Sequence, residues 1–183
     1  GCNKDYSCVK GFCPSFVTVH GGGLKKVRKA GAGEVDFDNL PMPNIASNLD
    51  RRKNILVTGI GGTGVVTIGA LIGMAAHLEG KGGSVLDQTG LAQKGGAVTT
   101  HIRIAKTPED IHAVRIAAGE ADLVLGCDMV VVNDYWALSK IRGGRSNVVM
   151  KDYQAMPGTF TRNADMQFPA KGIIEAIKTA LNG

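Results

Sequence analysis

The sequence predicts an α/β fold: a Rossmann-like, mostly parallel sheet with helices on both faces, preceded by an irregular cysteine-containing segment. Three observations carry that expectation. From residue 54 onward, short apolar runs rich in β-branched residues alternate with segments of helical period. The first run leads directly into a glycine turn that opens a helix. Three of the four cysteines, Cys2, Cys8 and Cys13, crowd into the first thirteen residues, ahead of this alternation. A chain of 183 residues accommodates one such domain with extensions, and its 26 glycines and few aromatics argue against a β-sandwich.

The opening unit spans residues 54–80. Asn54 to Thr58 form a short apolar run suited to a strand buried on both faces. Gly59-Ile60-Gly61-Gly62-Thr63-Gly64 matches G-x-G-x-x-G. Glycines without Cβ allow a tight turn and close approach to a phosphate, and a helix start adds unpaired N–H groups. Val65, Ile68, Leu71, Ile72, Ala75, Ala76 and Leu78 then carry the spacing of a buried helix side. Gly80 is the expected C-cap.

Residues 84–87 are the next strand. A loop of unusual composition follows, Gln88-Thr89-Gly90-Leu91-Ala92-Gln93-Lys94-Gly95-Gly96. Residues 97–104 alternate in period two and predict a strand with one polar face. Residues 121–127 are a buried strand that ends in Cys127, a small core hydrophobe. Residues 128–140 suit one helix, stopped by Gly143-Gly144, and residues 147–150 a further strand. Residues 153–168 read as irregular. A last helix opens at Pro169 with Ile173, Ile174, Ile177 and Leu181 on one face. Ligands of such sheets bind at the carboxyl ends of the strands. That rule puts the Gly59 turn and the loop at 88–96 on one rim.

Upstream, residues 21–53 read as a linker, interrupted by Gly21-Gly22-Gly23, Gly31, Gly33, Pro41 and Pro43. The expected division is 1–20 for the cysteine segment, 21–53 for the linker and 54–183 for the α/β domain. For Cys2, Cys8 and Cys13, an odd number without a signal peptide argues against disulfides. The spacing lacks the C-x2-C knuckle of structural zinc. Cys13-Pro14 resembles the end of a ferredoxin cysteine run, which favours iron–sulfur ligation, with free thiols as the alternative.

The net charge of +5 lies largely in two clusters, residues 25–29 and 51–53, that read as solvated linker charge. No nucleic-acid-binding signature accompanies them. No run reaches the roughly 18 apolar residues of a membrane span. Nucleic acid and membrane are therefore not expected partners, and a cytoplasmic location is. Gly1 in place of Met fits a piece of a longer polypeptide.

Two ligands compete for the glycine turn. A nicotinamide dinucleotide wants an acidic residue about 20 residues past the motif, and Asp87 stands there. No apparatus for hydride transfer accompanies it; His77, His101 and His112 read as structural or solvated. Against this, GIGGTGVVTIGALIGMAA, DQTGLAQKGGAVTTHIRI and CNKDYSCVKGFCPSFVTVHGG together resemble the 2-oxoacid:ferredoxin oxidoreductases, most of all the large fused indolepyruvate-type enzymes. The pairing of the glycine motif with L-A-Q-K-G-G is far more specific than either alone.

The resemblance implies the gamma domain, with the end of the ferredoxin-like segment, of a thiamine diphosphate enzyme. Such an enzyme decarboxylates an aryl 2-oxoacid, passes electrons through [4Fe-4S] clusters to ferredoxin and releases an acyl-CoA. It implies Cys2, Cys8 and Cys13 as an incomplete cluster ligand set. It also implies coenzyme A contacts at Gly59, Gly61, Gly62, Thr63, Gly64, Gln88, Thr89, Gln93, Lys94, Gly95 and Gly96, with no catalytic residue in this chain. Thiamine diphosphate and Mg²⁺ would bind outside it, on partner domains or subunits of a homo-oligomeric enzyme, and the isolated chain would be inactive. A nicotinamide-binding domain and a non-catalytic assembly module are the alternatives.

Overall fold

The structure, a computed structural model, describes residues 20–22, 41, 49–90, 96–157, 162–163 and 165–182. The chain divides into two units, Asn48–Gly183 with Gly1–Cys2, and Asn3–Ser47. Of the second, only residues 20–22 and 41 are described, with His20 exposed and Gly21 at φ +75°.

The larger unit holds a five-stranded sheet built from β1 (Lys53–Ile60), β2 (Gly82–Thr89), β3 (Ala97–Ala105), β4 (Leu123–Gly126) and β5 (Asn147–Met150). Its spatial order is β2-β3-β1-β4-β5. β1 pairs in parallel with β4, and β4 with β5. β3 pairs antiparallel with both β1 and β2. Every strand except β3 therefore runs the same way, as the mostly parallel expectation requires. The inserted β3 departs from simple alternation, because the chain returns from β2 as a hairpin and not through a helix.

Helices cover both faces. α1 (Val65–Leu78) packs on one side; α2 (Met129–Val132), α3 (Tyr135–Leu138) and α4 (Ala170–Asn182) lie on the other. On the α1 side Val57, Val65, Val98 and Ile102 form the core, with Ile68 and Ile72 against them. On the opposite side Leu56, Ile116, Val124, Ala137 and Ile141 pack together, and Met129, Val132, Ile173 and Ile177 extend that layer under α4.

Four local expectations change. The buried side of α1 is Val65, Gly69 and Ala76, while Leu71 and Leu78 are 66% and 78% exposed. The helix sits so close to the sheet that glycines face it: a Cβ on Gly69 would stand 2.5 Å from Thr100 Cγ2, and one on Gly73 2.6 Å from Val85 Cγ2. Residues 128–140 form two one-turn helices, not one. Three successive valines are stiff at χ1 and weak helix formers. Asp134 then starts α3 by accepting from the Trp136 N–H at 3.4 Å. The polar residues of β3 do not form a solvated face: Thr100, His101 and Arg103 are all buried, because β3 is flanked on both edges and covered on both sides. In α4, Ile173 and Ile177 are buried as expected, whereas Ile174 is exposed.

Candidate functional site

The turn between β1 and α1 is built by its glycines. A Cβ on Gly59 would lie 2.4 Å from Thr63 Oγ1 and 2.9 Å from Cys127 Cβ, so the turn closes only without one. Gly62 and Gly64 hold φ of +92° and +85°, the left-handed region that glycine enters without strain. The Thr63 N–H and hydroxyl both donate to Ile60 O, at 3.1 and 2.7 Å. Thr63 therefore closes the turn with the proton expected to face a phosphate, and keeps only its lone pairs free. The Gly61 N–H donates to Gly96 O at 2.9 Å. The donors left for a ligand are the N–H groups of Gly62, Gly64 and the first residues of α1, whose helical bonding has no earlier partner.

That Gly61–Gly96 bond brings together the two segments singled out in the sequence. Ile60 pairs with Ala97, and Thr89 with Val98, so the end of β1, the end of β2 and the start of β3 share one rim. Gln88 and Thr89 are the last residues of β2 and not part of a loop. Residues 91–95, with Gln93, Lys94 and Gly95, lie outside the described residues, as do Cys2, Cys8 and Cys13. Among the described residues no three His, Cys, Asp or Glu side chains are placed to hold a metal. Cys127 is a lone half-buried thiol whose pKa burial pushes up, against the thiolate a ligand or nucleophile needs.

Asp87, the acid of the dinucleotide reading, accepts from Thr100 Oγ1 at 2.6 Å. Because β3 separates β2 from β1, it stands two strands, about 10 Å, from the glycine turn. A dinucleotide fold places these strands side by side. His77 and His112 are exposed.

The sequence did not reveal the network on the opposite sheet face. His101 is fully buried in mid-β3. The Ile116 N–H donates to its Nδ1 at 3.0 Å, so the ring proton belongs on Nε2, which donates to Gln88 Oε1 at 3.1 Å. Trp136 meets the ring edge-on, with centroids 5.3 Å apart, and Lys140 Nζ lies 4.9 Å from the Trp136 ring centre. Burial first, then the charges of Lys140, Arg115 and Arg103, lower the His101 pKa to about 4, which keeps the ring neutral. Beside this pair a cleft of about 320 Å³ opens at the rim, lined by Gln88, Thr89, Gly90, Thr99, Asp134 and Trp136, among others. Next to Thr99, on the same face, the fully buried Thr58 hydroxyl has no hydrogen-bond partner among the described residues.

Below the rim, ion pairs hold the strands at their other ends. Arg103 donates to Arg115 O and approaches Glu120 at 3.3 Å. Burial disfavours the Asp122 carboxylate, yet the Asn54 N–H, Arg145 and Arg51 outweigh it and hold its pKa below the usual range. Arg51, read as linker charge, is thus a structural residue, 2.7 Å from Asp122.

The fold and rim define an α/β domain with a glycine-rich strand–turn–helix and an adjoining second glycine segment. The chain belongs to the pyruvate ferredoxin/flavodoxin oxidoreductase family, whose match covers residues 54–181. Curated relatives include the indolepyruvate oxidoreductase subunit IorB of Methanothermobacter thermautotrophicus, 42% identical over 39% of this chain and 35% of that protein. The subunit of the same name from Archaeoglobus fulgidus is 30% identical over 60% of this chain and 51% of that protein. The resemblance read from the paired glycine segments is borne out, down to the indolepyruvate type of these relatives. The chain spans about half or less of their length. Among solved structures, a pyruvate oxidoreductase subunit of Thermotoga maritima gives a TM-score of 0.44 at 14% identity over 70% of this chain and 83% of that one. The gamma subunit of a keto/oxoacid ferredoxin oxidoreductase from Geobacter sulfurreducens gives 0.40 at 18% over 71% and 83%. These likenesses are weak, and the fold is defined by its own strand order.

Proposed function

We propose that the chain is the gamma-type part of an indolepyruvate-type 2-oxoacid:ferredoxin oxidoreductase and that its rim holds coenzyme A. The overall reaction takes a 2-oxoacid anion, coenzyme A and two oxidised ferredoxins to acyl-CoA, CO₂, two reduced ferredoxins and one proton. Thiamine diphosphate, bound with Mg²⁺ on partner domains, supplies the electron sink for decarboxylation. This chain's part is to bind and orient. The observation that carries the reading is the Gly61–Gly96 hydrogen bond, which joins the two glycine segments into one rim at the carboxyl end of the central strand.

On this reading the Gly62 and Gly64 N–H groups face a phosphate, assisted by the partial positive charge of the α1 start. Lys94 adds a point charge, and Gly95 and Gly96 admit the ligand close to the backbone. Gln88, Thr89 and Gln93 give neutral hydrogen bonds towards the thiol end. The described donors fit a phosphate but offer nothing that would hold a metal. Cys2, Cys8 and Cys13 are the proposed [4Fe-4S] ligands, completed from outside this chain. Ferredoxin is the proposed electron acceptor, and the cytoplasm the proposed location; among the described residues no helix is long and apolar enough to cross a membrane.

An assembly role accompanies the binding role. The outer side of α1 exposes Val66, Leu71, Met74 and Leu78, with 40 to 78% of each accessible. A contiguous apolar stripe of this kind marks a docking surface, and thiamine-binding partner domains are its proposed occupant. Calorimetric titration with coenzyme A, and in parallel with NAD, tests the ligand. Saturable heat with coenzyme A alone is expected. No heat at millimolar concentration, with the protein shown to be folded, leaves the chain as an assembly module; tight NAD binding abolished by Asp87→Ala restores the dinucleotide reading.

A further inference from the structure

The cleft beside Trp136 has a composition that selects its ligand. Among the described residues no cationic side chain lines it, and one carboxylate, Asp134, does. A phosphate or carboxylate placed there would meet the like charge of Asp134. The other polar residues of its described lining, Gln88, Thr89 and Thr99, are neutral.

The Gln88 amide is oriented from beneath. The Ile116 N–H occupies His101 Nδ1, so Nε2 carries the proton and can only donate. Gln88 must then accept through Oε1, which turns its NH₂ group away from the imidazole. Gln88 Nε2 has no partner among the described residues, while its side chain forms part of the cleft wall. His101 itself is fully buried and cannot reorient without breaking the Ile116 bond. Positively charged Lys140, Arg115 and Arg103 surround the ring, and Gln88, Ile116 and Trp136 touch it.

We propose that His101 is a positioning residue that locks the Gln88 amide with its NH₂ towards the cleft, so that the cleft binds a neutral carbonyl oxygen beside the Trp136 ring. This deepens the coenzyme A reading and rests on it: the amide carbonyls of the pantetheine arm are neutral acceptors of this kind. The phosphates stay at the glycine turn, and the arm runs along the rim into the cleft.

Trp136 is the only tryptophan in the chain and lines the cleft, so its fluorescence reports occupancy. The full 183-residue chain is titrated with coenzyme A and, separately, with adenosine 3′,5′-bisphosphate, which lacks the arm. Coenzyme A is expected to change Trp136 emission and the bisphosphate not to. Gln88→Glu keeps an acceptor for His101 Nε2–H but removes the donor, and should weaken coenzyme A about tenfold, the worth of one hydrogen bond to a group otherwise left unpaired. His101→Asn keeps an acceptor for the Ile116 N–H but loses the donor to Gln88. It should weaken coenzyme A several-fold while leaving bisphosphate binding unchanged, a split that general structural damage would not produce. Imidazole ¹⁵N spectra should show the proton on Nε2 at neutral pH.

An Nδ1–H or charged ring overturns the positioning role whatever the ligand result. Equal coenzyme A affinity in Gln88→Glu and wild type overturns the cleft assignment while leaving the coenzyme A reading intact. Absence of coenzyme A binding to wild type, with Nε2–H observed, overturns the coenzyme A reading and with it the pantetheine assignment.

Discussion

The two faces of β3 are chemically different, although they come from one alternating stretch. Towards α1 it presents Val98, Thr100 and Ile102, and the helix backbone presses on them through Gly69. Away from α1 it presents Thr99, His101 and Arg103; His101 is held by hydrogen bonds to Gln88 and Ile116, and Arg103 by Arg115 and Glu120. The first face is maintained chiefly by shape, with a hydrogen bond from Thr100 to Asp87 at 2.6 Å. The second is maintained by polar groups that each need a particular partner. A close-packed face tolerates little change of volume. A buried polar face costs free energy unless satisfied, and where it reaches the rim it leaves Gln88 with an unused donor.

This contrast is broken most directly by adding bulk on the packed face. Gly69→Leu puts a side chain where a Cβ alone would lie 2.5 Å from Thr100 Cγ2. A loss of about 3 kcal/mol or failure to fold is expected in urea denaturation; unchanged stability would mean that α1 does not sit on the sheet as described.

On the polar face the expected effect follows pH. The His101 pKa falls from 6.5 to about 4 in the folded state, so between those values the unfolded chain binds the proton and the folded chain does not. Stability is therefore greatest above pH 6.5 and declines as pH falls towards 4, by roughly 2–3 kcal/mol from this residue. Asp122 adds to the decline at still lower pH, because its folded pKa is depressed and its contribution is lost on protonation. Denaturation midpoints from pH 7 to 4.5 check this; in His101→Asn the part of the slope above pH 4.5 should flatten.

The smallest stability effect belongs to the outer side of α1. Leu78→Glu should change the stability of the isolated chain by no more than about 0.5 kcal/mol, while weakening capture of thiamine-binding partner subunits in a pull-down. A large stability loss would show that the chain itself covers Leu78.

Much of the positioning frame was legible in sequence. Gly59 to Gly64 announced a strand–turn–helix, and the structure shows why Gly59, Gly62 and Gly64 stand there. The shared rim was also legible, since both segments follow strand ends. The polar network was not. Gln88 and His101 lie thirteen positions apart in the chain, and only the hairpin register of β2 and β3 brings them together. Period-two alternation marked Thr99, His101 and Arg103 as one face but could not say whether water or protein covered it. The exposed leucines of α1 escaped for a related reason: a helix apolar all round does not reveal which side docks, and the contact surface includes Gly69 and Gly73, which carry no apolar side chain to mark it.

The central claim is that the glycine turn and the second glycine segment form one ligand rim. It is tested most directly by following backbone amide resonances of the whole chain during a coenzyme A titration. Gly62 and Gly64 should shift together with Gly95 and Gly96, along a single saturation curve. Shifts confined to one segment, or none at either while the protein remains folded, would contradict it.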